Sequence, residues 1–231
     1  MIHTEKNVLE DFKPFINENG MVPYGTPPPT VSQNDTLFTA YYMMALENAL
    51  GVVPEHERLR LIDAYDKHIH ADGLTVRTPV STELESHDNL TGWGVAAVIL
   101  KKPEYAQKIL SFARYHGWIW PETGTDEGRR YLGRHRVVEP HLQLAAGEIP
   151  DFLMQAVWCF VVLTSLNGKG DSYSLPHCLV YVAEKCEQTP KWMKLVGAFW
   201  KMWQTQVRFL SFGENLAKFY GWGGSPHVRY L

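Results

Sequence analysis

The chain has 231 residues, of which 45% are apolar and 20% are charged, and its formal net charge is −3. This composition allows a large buried core and excludes a mostly disordered protein. The small negative charge argues against nucleic acid as a partner, because neutralising phosphates requires a basic face. The longest apolar run, residues 152–166, is too short to span a bilayer, and the chain starts without an apolar leader. We therefore expect a cytoplasmic protein with free thiols and no membrane association.

The first 33 residues are predicted to be an irregular N-terminal arm. Pro14, Pro23 and the prolines at 27–29 remove backbone donors and block helix propagation. Residues 10–25 are interpreted as an extended segment that wraps the domain or packs on a partner, so the arm could support a homo-oligomer. Residues 34–231 are predicted to form one helical domain.

Seven helices of two kinds are predicted after the arm. Helices that are apolar on nearly every face should be buried, whereas helices with one apolar stripe should lie at the surface. The predicted buried helices are 34–50, 89–100 and 151–166. The predicted surface helices are 55–70, 103–115, 175–187 and 192–210, the last with an apolar stripe of Trp192, Leu195, Val196, Phe199, Trp203 and Val207. The alternation predicts an all-α fold of stacked αα-hairpins that resembles part of an α/α-toroid.

Two irregular stretches are predicted between the helices. Residues 72–85 could hold a short hairpin, and residues 117–150 contain Trp118, Trp120 and a basic loop around Arg134. Irregular segments of this length in a compact domain are usually functional or disordered, and the tryptophans favour function. The basic loop is either solvated or a site for a carboxylate or phosphate, which arginine binds in bidentate fashion.

Three polar clusters come directly before the predicted buried helices. They are residues 32–35, 86–89 and 148–151. Taken singly, each is typical of helix capping, since Ser, Asp and Asn are preferred N-caps. In a ring of hairpins, however, the buried helices point the same way, so Asp35, His87, Asp88 and Asp151 would share one mouth. Several carboxylates and a histidine in one concave site suit acid–base catalysis, and these four are the predicted catalytic residues.

A resemblance to known proteins supports this interpretation. The stretch 86–89 (Ser-His-Asp-Asn) followed by Gly92, together with the stretch 34–36 (Asn-Asp-Thr), resembles short motifs in tailed-bacteriophage proteins of unknown function. The alternation of helices is similar to the α/α-toroid fold of several glycosidase and polysaccharide-lyase families, of which seven helices would make an open or truncated version. The resemblance implies a viral protein, in the host cytoplasm or the virion, that acts on a carbohydrate as a hydrolase or lyase.

Glycoside hydrolysis requires two carboxylates, one to protonate the leaving oxygen and one to activate water or attack directly. The ligand would then be a saccharide, with Asn89 as a binding residue. Trp118 and Trp120 are expected to be exposed and to stack on a sugar ring. Arg134, with His135 beside it, would hold the carboxylate of an acidic sugar.

Two alternatives remain open. His68 and His70, together with His87 and Asp88, would supply imidazole and carboxylate ligands to a metal. HExxH and CxxC spacings are absent, so we expect no metal and no cofactor, and the simpler interpretation places His68 and His70 on the surface at a helix end. The second alternative is a non-enzymatic phage structural or interaction protein that docks through the arm, the Trp-rich last helix and the aromatic tail at 219–222.

Overall fold

The computed structural model describes residues 4–22, 35–76, 87–118, 136–165 and 174–207. Within these ranges it contains nine α-helices and no sheet, which confirms the all-α prediction. The helices are α1 (Glu5–Phe12), α2 (Asp35–Leu50), α3 (Glu55–Asp66), α4 (His87–Ile99), α5 (Pro103–Tyr115), α6 (Glu139–Ala145), α7 (Phe152–Thr164), α8 (Ser174–Lys185) and α9 (Lys191–Val207). Short 3-10 turns at Lys13–Phe15 and Arg136–Val138 precede or follow them, and Ile69 and Thr75 form an isolated antiparallel bridge.

The centre of the core is formed by α2 and α4, as predicted. Every residue of α2 from Asp35 to Leu46 is buried, and so are nearly all the described side chains of α4. The two helices approach so closely that a Cβ added at Gly92 would lie 2.6 Å from the backbone oxygen of Thr36. Glycine is therefore required at residue 92 by the contact between the helices.

The third helix predicted to be buried, α7, lies at the surface, so that prediction is wrong. It buries one face, with Met154, Trp158 and Val162 packed inward. Phe152 is 80% exposed and Phe160 is 69% exposed. A helix with no polar face satisfies the pattern expected of a core helix, but the pattern does not say how many neighbours will cover it.

The N-terminal segment is not irregular over its described part. Thr4 caps α1 by accepting a hydrogen bond from the backbone nitrogen of Asn7 at 3.4 Å. Phe12 is fully buried, and its ring packs edge-on against that of Tyr42 at a centroid distance of 4.6 Å. Val22 donates its backbone N–H to Thr39 Oγ1 at 2.9 Å. A proline stops the growth of a helix, but the residues before it can still be helical, as they are in α1. The apolar side chains of this segment pack on α2 of the same chain.

A second helix was missed within the stretch predicted to be irregular. All seven residues of α6 are buried, and the helix begins with a proline, Pro140, in its first turn. Proline is favoured at this position because the first N–H groups of a helix have no intrahelical partner. The proline therefore marks the beginning of a helix here, within the stretch 117–150 that is predicted to be irregular.

Candidate functional site

The amino ends of α2 and α4 lie side by side, as the convergence hypothesis requires for these two helices. Thr36 Oγ1 donates to the backbone oxygen of Asn89 at 3.3 Å, and the backbone nitrogen of Leu37 donates to Asn89 Oδ1 at 3.4 Å. Both Thr36 and Asn89 are fully buried. Asn89, predicted to bind substrate, thus joins the two helix ends by hydrogen bonds within the core.

Asp35, the first residue of α2, is fully buried. Its Oδ2 accepts a hydrogen bond from Asn17 Nδ2 at 3.0 Å. Asn17 in turn accepts bonds from the backbone nitrogens of Asn19 at 3.0 Å and Met21 at 2.9 Å. The carboxylate therefore holds the turn at residues 17–21 against the start of α2, where the positive end of the helix dipole favours a negative charge.

Asp151 is the N-cap of α7. Its Oδ1 accepts a hydrogen bond from the backbone nitrogen of Met154 at 2.8 Å, and its backbone is extended as capping residues require. The residue is exposed. Its carboxylate is engaged with its own helix, which is the role that the capping interpretation assigns to it.

The structure describes only part of the remaining predicted site. His87 and Asp88 begin α4, but their side chains lie outside the described residues. Trp120, Arg134 and His135 lie outside them altogether. Of the predicted catalytic residues, the described side chains are therefore those of Asp35 and Asp151, and each makes a structural hydrogen bond.

Trp118 is not exposed on a loop, contrary to expectation: its side chain is 5% exposed and belongs to the core. The backbone nitrogen of Trp118 donates to Ala113 O at 2.6 Å, and that of Gly117 donates to Arg114 O at 3.3 Å. This pair of bonds, with Gly117 at φ 62°, is the Schellman motif that ends α5. In this motif the residue directly after the glycine is commonly apolar and packs against the helix. The sequence signal for the burial of Trp118 was therefore the glycine that precedes it.

His68 is fully buried, so its expected position at the surface is wrong; His70 is exposed. The Nδ1 of His68 lies 2.8 Å from Ala64 O and donates a hydrogen bond to it. Desolvation lowers the pKa of the His68 ring. Among the residues that the structure describes, no group of three or more His, Cys, Asp or Glu side chains is arranged to bind a metal ion.

The most distinctive feature of the described surface is apolar and lies on α7 and α9. The two helices run in parallel: Trp192 Nε1 donates to Gln155 Oε1 at 2.8 Å near their amino ends. Farther along, Trp200 Nε1 donates to Ser165 Oγ at the same distance. Nine large apolar side chains on these helices are exposed. We call this set the α7–α9 apolar surface; it consists of Phe152, Leu153, Phe160, Leu163, Trp192, Leu195, Phe199, Met202 and Trp203.

On α9 most of the predicted stripe faces outward, but Val196 is partly buried against the core, and the side chain of Val207 lies outside the described residues. Met193, Gly197 and Trp200 point toward the core, whereas Leu195 is 71% exposed. Sequence reasoning missed this surface because it assigned α7 to the core and the stripe of α9 to the inner face. Apolar spacing along a helix identifies a face that packs, but the same spacing occurs at a core contact and at an interface between chains.

Comparisons with protein-family models, with curated proteins and with solved structures found no match for this chain. Over the described ranges, none of the helices combines the length and the apolar character needed to cross a bilayer.

Proposed function

We propose that this protein is a non-enzymatic interaction protein that binds a helical protein partner through the α7–α9 apolar surface. The observation that carries the proposal is the exposure of nine large apolar side chains on two adjoining helices. At 150–250 Å² for a fully exposed ring, the five aromatic residues alone present on the order of 400–700 Å². Contiguous apolar patches larger than a few hundred Å² are rare on monomers and mark interaction sites.

The spacing of the exposed residues indicates that the partner is helical. The exposed positions include one row at 153, 156, 160 and 163 on α7 and one row at 192, 195, 199 and 202 on α9. Both series step by three, four and three residues, which is the spacing of the positions that interlock when helices pack side by side. No charged residue occurs anywhere in α7. A helix with a matching apolar seam would bury both rows.

The carbohydrate-active enzyme of a bacteriophage stays a prediction. Its carboxylate chemistry needs groups that substrate can reach, yet Asp35 is buried against Asn17 and Asp151 caps α7. The apolar surface is thus the better-supported basis for function.

Site-specific photo-cross-linking tests the proposal. A photoactivatable phenylalanine at Leu195, in the full chain produced in its native cellular background, is expected to form a discrete protein adduct on irradiation. Tyr115 is the matched control site, because it is an aromatic residue on another helix and is 86% exposed. Adding Phe160→Glu to the Leu195 probe should abolish the adduct. If irradiation gives no more adduct from Leu195 than from Tyr115, the surface does not bind protein and the proposal is wrong.

A further inference from the structure

We infer that the partner is a second copy of this chain, with two α7–α9 apolar surfaces packed face to face about a two-fold axis. The inference rests on the proposed function, because it names the occupant of the same surface. Its product is an intermolecular four-helix bundle made of α7 and α9 from each copy.

The parallel course of α7 and α9 makes such a pairing geometrically self-consistent. A two-fold axis that lies in the interface and runs across both helices places each helix opposite the same helix of the second copy, in the opposite direction. The contact is then isologous, so one self-complementary surface suffices for both partners. Each helix then packs its three-four-three row against the same row of the second copy. Each row is about 15–16 Å long, at a rise of 1.5 Å per residue.

The exposed area is the size that a dimer needs. A stable interface buries roughly 800 Å² on each partner. The five aromatic side chains supply on the order of 400–700 Å² of that area. The rest comes from the four exposed aliphatic side chains Leu153, Leu163, Leu195 and Met202. A second copy of the chain therefore supplies enough area to cover the surface, and no larger partner is needed.

The charges at the edge of the surface favour the antiparallel arrangement. Lys191 and Lys194 lie in the first turn of α9, where the positive end of the helix dipole makes cations unfavourable. In the proposed dimer these ammonium groups approach the carboxyl end of α9 of the second copy, which carries partial negative charge. The apolar rows meet at the centre and the lysines form part of a polar rim, which is the usual composition of a protein interface.

Light scattering coupled to size exclusion tests the inference on the purified full-length chain. We expect a mass twice the 26.4 kDa of one chain. Leu195→Glu should convert the dimer to a monomer, because the dimer would bury the new charge at the interface. The monomer should keep the circular dichroism of the wild type. Leu59→Glu is the matched control: Leu59 is an exposed leucine on α3, outside the surface, and this variant should remain dimeric.

A second measurement covers the case in which Leu195→Glu fails to fold. Isotope-labelled and unlabelled chains carrying the photo-probe at Leu195 are mixed and irradiated, and the cross-linked peptides are identified by mass. Peptides joining labelled to unlabelled chain, within residues 152–164 or 191–207 of the second copy, are expected.

A monomeric wild-type chain would overturn the inference, as would a dimer that Leu195→Glu leaves intact or cross-links that never join two chains. A monomer that still forms an adduct with a different protein in cells leaves the proposed function standing and removes only the second copy as partner. Wild-type monomers bound to lipid vesicles, or monomers whose Leu195 probe reacts only with residues 208–231 of the same chain, likewise rule out the dimer.

Discussion

Two regions of this protein, the α2–α4 pair and the α7–α9 pair, consist of apolar helices that serve different purposes. The α2–α4 pair is surrounded, because α5, α6 and α8 also pack on α4. The α7–α9 pair packs on the rest of the protein through one face and leaves the other exposed. In the first region apolar side chains stabilise the fold, and in the second we propose that they stabilise an assembly. The difference shows that apolarity on all faces identifies a helix that needs cover, without identifying what covers it.

The largest expected effect comes from adding one methyl group to the contact between α2 and α4. The Cβ in Gly92→Ala would lie within 2.8 Å of three backbone atoms of α2, which cannot move independently. Overpacking of this kind costs about 3 kcal/mol or more of the free energy of unfolding, measured by urea denaturation.

Gly197→Ala in α9 is the matched control for that change. Its new methyl group would meet a side chain of Val180 at 3.2 Å, which can adjust. We expect a change of about 1 kcal/mol or less in either direction, since alanine also favours the helix. Equal losses for the two variants would contradict the distinction between a tight core contact and a tolerant outer one.

Acid should destabilise both regions, because a histidine that desolvation keeps neutral packs against each: the buried His141 against α4 and the half-buried His177 against α9. Burial lowers the pKa of His141 to about 4, and burial together with the charge of Lys201 lowers that of His177 to about 3. His141 joins α6 to α4 by donating to Thr91 O at 2.9 Å, and His177 packs on Trp200 of α9. The unfolded chain takes up protons near pH 6.5, whereas the folded chain resists protonation until the lower pKa. The free energy of unfolding is therefore expected to fall between about pH 6.5 and pH 4, by up to about 1.4 kcal/mol per pH unit for each histidine.

Urea denaturation at several pH values measures this slope. His141→Gln should make it shallower over that range, whatever the variant does to stability at neutral pH. His70→Gln is the control, because His70 is exposed. An unchanged slope in His141→Gln would show that this ring is not held neutral by burial.

Effects smaller than that of Gly92→Ala are expected at the two acidic helix starts, and they differ between the regions. Asp35→Ala leaves the half-buried amide of Asn17 without its carboxylate partner and should cost about 1–3 kcal/mol. Asp151→Ala removes only an exposed cap and should cost about 1 kcal/mol, while Asp151→Asn should be nearly neutral because asparagine caps equally well.

Thermal and urea unfolding of the three variants distinguish structural from catalytic roles. If Asp35→Ala and Asp151→Ala unfold like the wild type, the two carboxylates are not structural, and the acid–base prediction for this pair gains weight. Asp35→Asn adds a check, since it keeps an oxygen for Asn17 and changes mainly the charge.

Much of the secondary structure followed from the sequence because helix formation is governed by local spacing. The predicted and observed limits of the helices around α2, α3, α5 and α8 agree to within a few residues, and α5 matches at both ends. The two missed helices, α1 and α6, lie in stretches predicted to be irregular, and a proline lies in or near each of them. In α6 the proline lies in the first turn of the helix, and in α1 it follows the helix end.

For the candidate site, local rules determined that Asp151 would suit an N-cap and that polar residues would begin α2 and α4. Tertiary structure decided that Asp35 binds Asn17, that Trp118 closes a Schellman motif into the core, and that the stripe of α9 faces outward. The physical reason is that hydrogen bonds within a helix connect near neighbours in the chain, whereas hydrophobic burial is non-directional and accepts any apolar surface that arrives. The sequence by itself therefore determined where helices form and which of their faces are apolar, and only the packing of distant segments decided which of those faces stay exposed.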